Sequence, residues 1–247
     1  ITFRITVPGA LNQVNNQASS LTDTNGDGSF ADETTAASVA VSNVASWSRN
    51  SGGGSGSNRG NINAFTVLPK TGFAPGVITE LPPQPSDAAY QALGDLWLEI
   101  PRLGVKISIA GIPMGADGNW DLTWLSDQAG YLDGTAYPTH AGNSVLTGHV
   151  YLADGTPGPF INLHTLQYGD QVIVHLGGQR YIFEVRDDKV TSPNDSSVFQ
   201  HESYPWLTLV TCKDYDATTN SYTHRVAVGA VLIKIENDTP PSTSGKR

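Results

Sequence analysis

Gln171-Val172-Ile173-Val174-His175-Leu176-Gly177-Gly178-Gln179-Arg180-Tyr181-Ile182-Phe183-Glu184-Val185-Arg186 is the stretch that decides the fold class. Two runs rich in Val, Ile, Tyr and Phe flank a Gly-Gly pair, and β-branched and aromatic side chains suit a pleated, half-buried surface. Paired glycines supply the positive φ angles of a tight hairpin turn. The pattern therefore predicts a hairpin joining strands at 171–176 and 181–186. Working outward, further apolar runs fall at 207–211 and 225–235 downstream. Upstream they fall at 96–100, 105–109 and 144–151, the first two split by Pro101-Arg102-Leu103-Gly104. A short helix is expected over 160–166, ended by Gly169, and a helical patch over 87–93. Short strands at this spacing, with 26 glycines and 15 prolines in 247 residues, predict an all-β closed barrel or sandwich.

Composition divides the chain. The stretch after about residue 94 is apolar enough for one compact domain over 94–236, whereas the first ninety residues are dominated by Asn, Ser, Thr, Gly and Pro. A formal charge of −9 with only 14 Lys and Arg, scattered, argues against nucleic acid as a partner. Cys212 is the single cysteine, so an internal disulfide is excluded. Residue 1 is an isoleucine in a strand-like run, Ile1-Thr2-Phe3-Arg4-Ile5-Thr6-Val7, and the chain is expected to be a fragment of a longer secreted, cell-surface protein.

Residues 1–50 resemble the last strands of a bacterial surface β-sandwich repeat. Within them Asp23-Thr24-Asn25-Gly26-Asp27-Gly28 matches the first half of an oxygen-rich Ca²⁺ loop, with Asp23, Asn25 and Asp27 as candidate ligands. Thr34 stands where the loop needs a bidentate Glu, and Asp32 and Glu33 fall just short, so an Asn/Asp/Gly turn between strands is the competing reading of 23–33. Residues 51–93 read as a linker, flexible at Ser51-Gly52-Gly53-Gly54-Ser55-Gly56 and Pro-rich beyond, which favours an extended path over a surface. It contains Leu68-Pro69-Lys70-Thr71-Gly72. The residues from 237 to 247 are polar and predict a disordered tail.

The chemistry gathers near the C-terminus. Leu207-Thr208-Leu209-Val210-Thr211-Cys212 ends on the lone thiol, Arg225 lies in the next apolar run, and Thr147-Gly148-His149 closes an earlier one. A thiolate can attack a peptide carbonyl, an imidazole can carry the leaving proton, and a guanidinium can steady the developing oxyanion. Each residue alone has a plainer reading: an inert buried cysteine, a strand-capping histidine, a solvated arginine.

Taken together these motifs closely resemble the sortases, cysteine transpeptidases of bacterial surfaces. The resemblance covers about 94–236 and rests on the TLxTC string, the later Arg, the earlier Gly-His, and Phe160-Ile161-Asn162-Leu163-His164-Thr165-Leu166-Gln167-Tyr168-Gly169-Asp170-Gln171-Val172 between them. It implies an eight-stranded β-barrel with short helices, Cys212 ending the seventh strand, Arg225 in the eighth, and His149 in a loop facing the thiol. It implies catalysis by Cys212, His149 and Arg225, with Thr211 positioning substrate, and no required metal or organic cofactor. The substrates would be LPxTG-like peptides or proteins cut between Thr and Gly, and the acceptor an amine on a cell-surface or pilin-like partner. Val150 departs from the polar or basic residue that follows Gly-His in many relatives and leaves the subclass open. Leu68-Pro69-Lys70-Thr71-Gly72 itself looks like a sorting signal, and the alternative is a simple turn within a linker. A different class of function is a surface stalk or filament subunit whose sortase-like domain is idle or self-inhibited. For catalysis the Cys212 side chain is expected to be partly accessible in a groove.

Overall fold

The computed structural model describes residues 67–238. The sandwich-like segment 1–50, the calcium-loop candidates Asp23, Asn25 and Asp27, the Gly/Ser linker and the tail from 239 onward lie outside the described residues. Eight strands form: β1 (Gln91–Ile100), β2 (Val105–Ile112), β3 (Ala129–Leu132), β4 (Gly142–Thr147), β5 (Gln171–Leu176), β6 (Gln179–Thr191), β7 (Pro205–Asp216) and β8 (Ser221–Asn237). They close into a barrel in the order β1-β2-β3-β4-β7-β8-β6-β5, which leaves no unpaired edge. Pairing is antiparallel except for β2 with β3 and β4 with β7.

The hairpin that decided the fold class forms as its turn chemistry requires. Leu176 pairs with Gln179, and Gly177 and Gly178 sit at φ 59° and 73°, the doubly left-handed geometry of a two-residue turn. The strands around Cys212 are buried on both faces. Leu207 and Leu209 of β7, Val226 and Val228 of β8 and Leu146 of β4 point into the barrel with Leu98, Phe160 and Phe183. The alternate residues Val210, Ala227 and Val145 face outward, yet they are covered by Ile112, Trp120, Leu122, Leu125, Val198 and Leu68. A strand buried on both sides needs apolar residues at consecutive positions, which explains the unbroken Leu-Val run before Thr211 and Cys212. The period of two then aims Cys212 outward with Val210, and Thr211 inward with Leu209.

Three expectations need correction. Residues 87–93 are not a helical patch: a single 3-10 turn covers Ser86–Ala88, and β1 already begins at Gln91, inside the stretch read as linker. Cross-strand pairing of Gln91 with Gly111 and of Ala92 with Ala110 overrides the local helical preference. The helix expected over 160–166 is only the 3-10 turn Leu163–Thr165, whose Leu163 plugs the barrel. Cys212 does not end the seventh strand. β7 runs on to Asp216 because β8 keeps pairing with it, as Asp216 with Ser221, and likewise Asn237, read as tail, is still in β8.

Candidate active site

Cys212 and Arg225 are direct cross-strand partners on β7 and β8, so their side chains share the outer face. His149 stands in the loop just after β4, whose parallel pairing with β7 carries Thr147 alongside Val210. Two hydroxyls tie this loop to the nucleophile strand. Thr147 Oγ1 donates to the Val210 carbonyl at 2.9 Å, and Thr211 Oγ1 donates to the Gly148 carbonyl at 2.8 Å. Thr211 thereby fixes the loop that carries His149, a role its sequence position did not disclose.

Residues 68–72 lie along this face, and their polar groups meet Cys212, Arg225 and the backbone of Val150 beside His149. Thr71 N–H donates to Cys212 Sγ at 3.1 Å, and Cys212 N–H donates to Thr71 Oγ1 at 2.8 Å. The Thr71 carbonyl accepts from Val150 N–H at 2.9 Å. Arg225 Nε donates to the Pro69 carbonyl at 2.9 Å, and Leu68 N–H donates to the Pro193 carbonyl at 2.7 Å. Leu68 is 1% exposed within the outer apolar cluster, and Thr71 is fully buried, while Lys70 projects to solvent. Thr211 Oγ1 accepts a long 3.5 Å contact from Thr71 Oγ1. The expectation of a partly accessible thiol is therefore corrected: Cys212 is only 3% exposed, because Thr71 covers it.

Gly72 follows through a narrow gap. A Cβ at this position would lie 2.5 Å from Val150 Cγ1 and 3.1 Å from the Tyr222 ring. Only glycine passes without displacing one of them. Beyond it Phe73 N–H donates to the Tyr151 carbonyl at 3.1 Å, its carbonyl accepts from Tyr222 Oη at 2.8 Å, and its ring packs 5.2 Å from the His149 ring. Tyr222 is a site residue that motif reading missed, since nothing in the hairpin loop before Arg225 marks it.

The electrostatics follow from burial. His149 Nε2 lies 2.9 Å from the Leu122 carbonyl, and since a carbonyl can only accept, Nε2 carries the proton. Nδ1 is buried and makes no hydrogen bond, which leaves it as the nitrogen able to exchange a proton. Burial lowers the His149 pKa below its ordinary value, with the Leu122 and Thr71 backbones partly offsetting it. Burial likewise lowers that of Arg225, and the Cys212 sulfur opposes the shift. A buried guanidinium held by carbonyls of Pro69, Tyr222 and His224 still carries its full charge, and such a cation is stabilised most by an adjacent anion. Burial and the charge of the Cys212 sulfur together push the Tyr222 phenol upward, so it remains a hydrogen-bond donor. Among the described residues no group of three His, Cys, Asp or Glu side chains could hold a metal ion. No helix among them is long and apolar enough to cross a membrane.

A family model described as the sortase domain matches residues 98–233, more than half of the chain. The chain belongs to the sortase family. Several solved sortases are similar to it. Sortase C-1 from Actinomyces oris is 31% identical over 56% of this chain and 73% of that one, with a TM-score of 0.47. A Clostridium perfringens sortase D5 transpeptidase is 27% identical over 56% of this chain and 78% of that one, with a TM-score of 0.45. Sortase A from Corynebacterium diphtheriae is 26% identical over 60% of this chain and 62% of that one, at 0.47. No curated protein matches the chain significantly. The match contains the candidate residues His149, Cys212 and Arg225 of this sortase domain, while residues 68–72 fall before it.

Proposed function

We propose that this chain is a cysteine transpeptidase that cuts LPxTG-like peptides between Thr and Gly and transfers the acyl part to an amine. The observation that carries the reading is how its own Leu68–Gly72 stretch meets Cys212, Arg225 and the His149 loop. The Cys212 thiol passes its proton to the bare Nδ1 of His149 and the resulting thiolate attacks the Thr carbonyl, the Thr–Gly bond breaks, and His149 delivers that proton from Nδ1 to the departing Gly nitrogen. An incoming amine then attacks the thioester, and its proton passes through His149 to the departing sulfur, which restores the thiol. Arg225 lowers the cost of the thiolate and holds a substrate carbonyl, as it holds that of Pro69. The wall formed by Val150 and Tyr222 selects glycine after the scissile bond. The chemistry calls for no metal or organic cofactor, and the Ca²⁺ loop at 23–33 stays a separate proposal.

The acceptor is an amine on a cell-surface or pilin-like partner, and the setting is extracellular. A specific observation, the covering of Cys212 by Thr71, favours a second reading in which the domain is self-inhibited within a surface stalk. Mass spectrometry of the chain incubated with an LPKTG peptide and a glycine-based amine separates them. Transfer that is lost in Cys212→Ala supports the enzyme, while a thiol-reactive Cys212 that never cuts peptide supports the idle domain.

A further inference from the structure

The peptide on the amine side of the Thr71–Gly72 bond is fastened to the barrel at four successive places. Phe73 is held through both of its backbone polar groups, by Tyr151 and Tyr222. Gly76 N–H donates to the Gly155 carbonyl at 3.0 Å, and Thr79 N–H donates to the Ala153 carbonyl at 2.6 Å. The Pro82 carbonyl accepts from the Trp124 indole N–H at 2.8 Å. Gly155, at φ +82°, lets the backbones meet: a Cβ there would lie 2.7 Å from Val77 N and 2.8 Å from the Gly76 carbonyl carbon. The same strap then runs covalently into β1. A free peptide loses its amine fragment by diffusion once cut. Here every contact that holds the fragment survives the cut.

We propose that the chain is its own acyl donor, with residues 1–71 as the transferable segment, and that the clamped strap keeps the Gly72 amine in place to reseal the bond. This inference rests on the transpeptidase reading above. Cys212 gives its thiol proton to His149, its Sγ attacks the Thr71 carbonyl carbon, a C–S bond forms, the C–N bond to Gly72 breaks, and His149 passes that proton to the nitrogen. The products are a Thr71–Cys212 thioester and a free Gly72 amine within one chain, with no water consumed. Because the amine stays beside the thioester, the reverse attack is intramolecular. Tethering alone gives effective concentrations in the millimolar range, and fixed orientation raises them by orders of magnitude. The intact chain therefore persists until an external amine outcompetes Gly72. That amine then receives residues 1–71, and the barrel is left with Gly72 at its new N-terminus. The clamp makes self-transfer conditional on an acceptor rather than wasteful hydrolysis.

Hydroxylamine is a suitable probe, since it converts the thioester to a Thr71 hydroxamate and frees Cys212. The full chain is incubated over a concentration series, and the loss of intact mass is followed together with the appearance of a fragment ending at Thr71. Two variants loosen the strap at different points without touching the chemical residues. Trp124→Phe removes the indole donor to Pro82, and Gly155→Ala drives a methyl group into the Gly76–Val77 backbone. If resealing competes with trapping, the wild-type rate keeps climbing with hydroxylamine, whereas either variant reaches half its maximum at a concentration at least fivefold lower. The maximal rate, which reports acylation, stays within twofold. A strap that only gates access gives the opposite split, a changed maximum with an unchanged half-saturating concentration, and overturns the proposal. Absence of the hydroxamate in a preparation that still cuts added LPKTG peptide overturns it while sparing the transpeptidase reading. Inertness toward both removes the two together.

Discussion

The two halves of the strap differ in what holds them. Leu68–Thr71 is gripped by the candidate catalytic groups and one apolar socket: the Arg225 guanidinium on Pro69, the Cys212 sulfur and amide on Thr71, and the socket on Leu68. From Phe73 to Pro82 the grip is structural, made by backbone carbonyls of Tyr151, Ala153 and Gly155 and by the Tyr222 and Trp124 donors. Under the proposed chemistry, altering the first half changes binding and bond cleavage together, while altering the second changes where the amine goes after cleavage. The Thr71–Gly72 bond lies where the two kinds of anchorage meet.

The largest expected effect falls on the acyl side. Arg225→Ala removes both the cation beside the Cys212 sulfur and the donor to the Pro69-type carbonyl, and should lower transfer of an added LPKTG peptide by about 10²–10³, the scale of losing one charge-stabilising group. Trp124→Phe, on the amine side, should leave that rate within a few-fold. Initial rates measured side by side test the contrast, and equal losses in the two variants would erase the distinction between the halves.

Next in size is Leu68→Ala. Truncating a leucine at a filled site costs about 2–5 kcal/mol. Even the lower figure opens the strap roughly 30-fold more often. Alkylation of Cys212 by a neutral maleimide should accelerate accordingly, with the barrel still folded by circular dichroism. An unchanged alkylation rate would mean that Leu68 does not hold the strap down.

Gly72→Ala should act at the junction more mildly. Its methyl group meets Val150 and Tyr222, so the strap or the Val150 side chain must move aside. Several-fold faster alkylation is expected, together with slower trapping at Thr71 by hydroxylamine. Pairing it with Val150→Ala, which widens the wall, should restore part of the trapping rate. No restoration would assign the glycine requirement to something other than this wall.

The smallest effect is one of pH. Burial lowers the His149 pKa, so above the ordinary histidine range the ring is neutral whether or not the protein is folded, and it adds no pH dependence. As the pH falls below about 6.5, the unfolded chain takes up the proton before the folded one does, and stability is lost. The loss levels off once the pH passes below the depressed value. Between pH 7.5 and 5 the wild-type thermal midpoint should fall more than that of His149→Asn. Equal falls would show that His149 is not the group titrating.

Much of the barrel was legible in the chain because its signals are local. The Gly177-Gly178 turn and its flanking runs specify a hairpin without reference to anything distant. The apolar run before Cys212 announces a strand, whose burial on both faces the barrel then supplied. Where locality misled, pairing was the cause. Residues 91–93 carry no strong strand signal and become β1 only because β2 lies beside them. Cys212 and Arg225 could be named from their motifs, but their facing each other depends on the β7–β8 register.

The sequence by itself determined the all-β class and the sortase family, and it nominated Cys212, His149 and Arg225 as candidates, because composition, turn chemistry and motif order are properties of the chain alone. Only the tertiary structure decided that Leu68–Gly72 lies on that site rather than in solvent. The deciding contact, Thr71 to Cys212, spans 141 residues. No local periodicity encodes a contact of that range. Its formation depends on an apolar socket for Leu68 assembled from several strands and loops, on a buried guanidinium in need of a carbonyl, and on the opening that Gly72 requires between Val150 and Tyr222. Those features exist only once the barrel has closed.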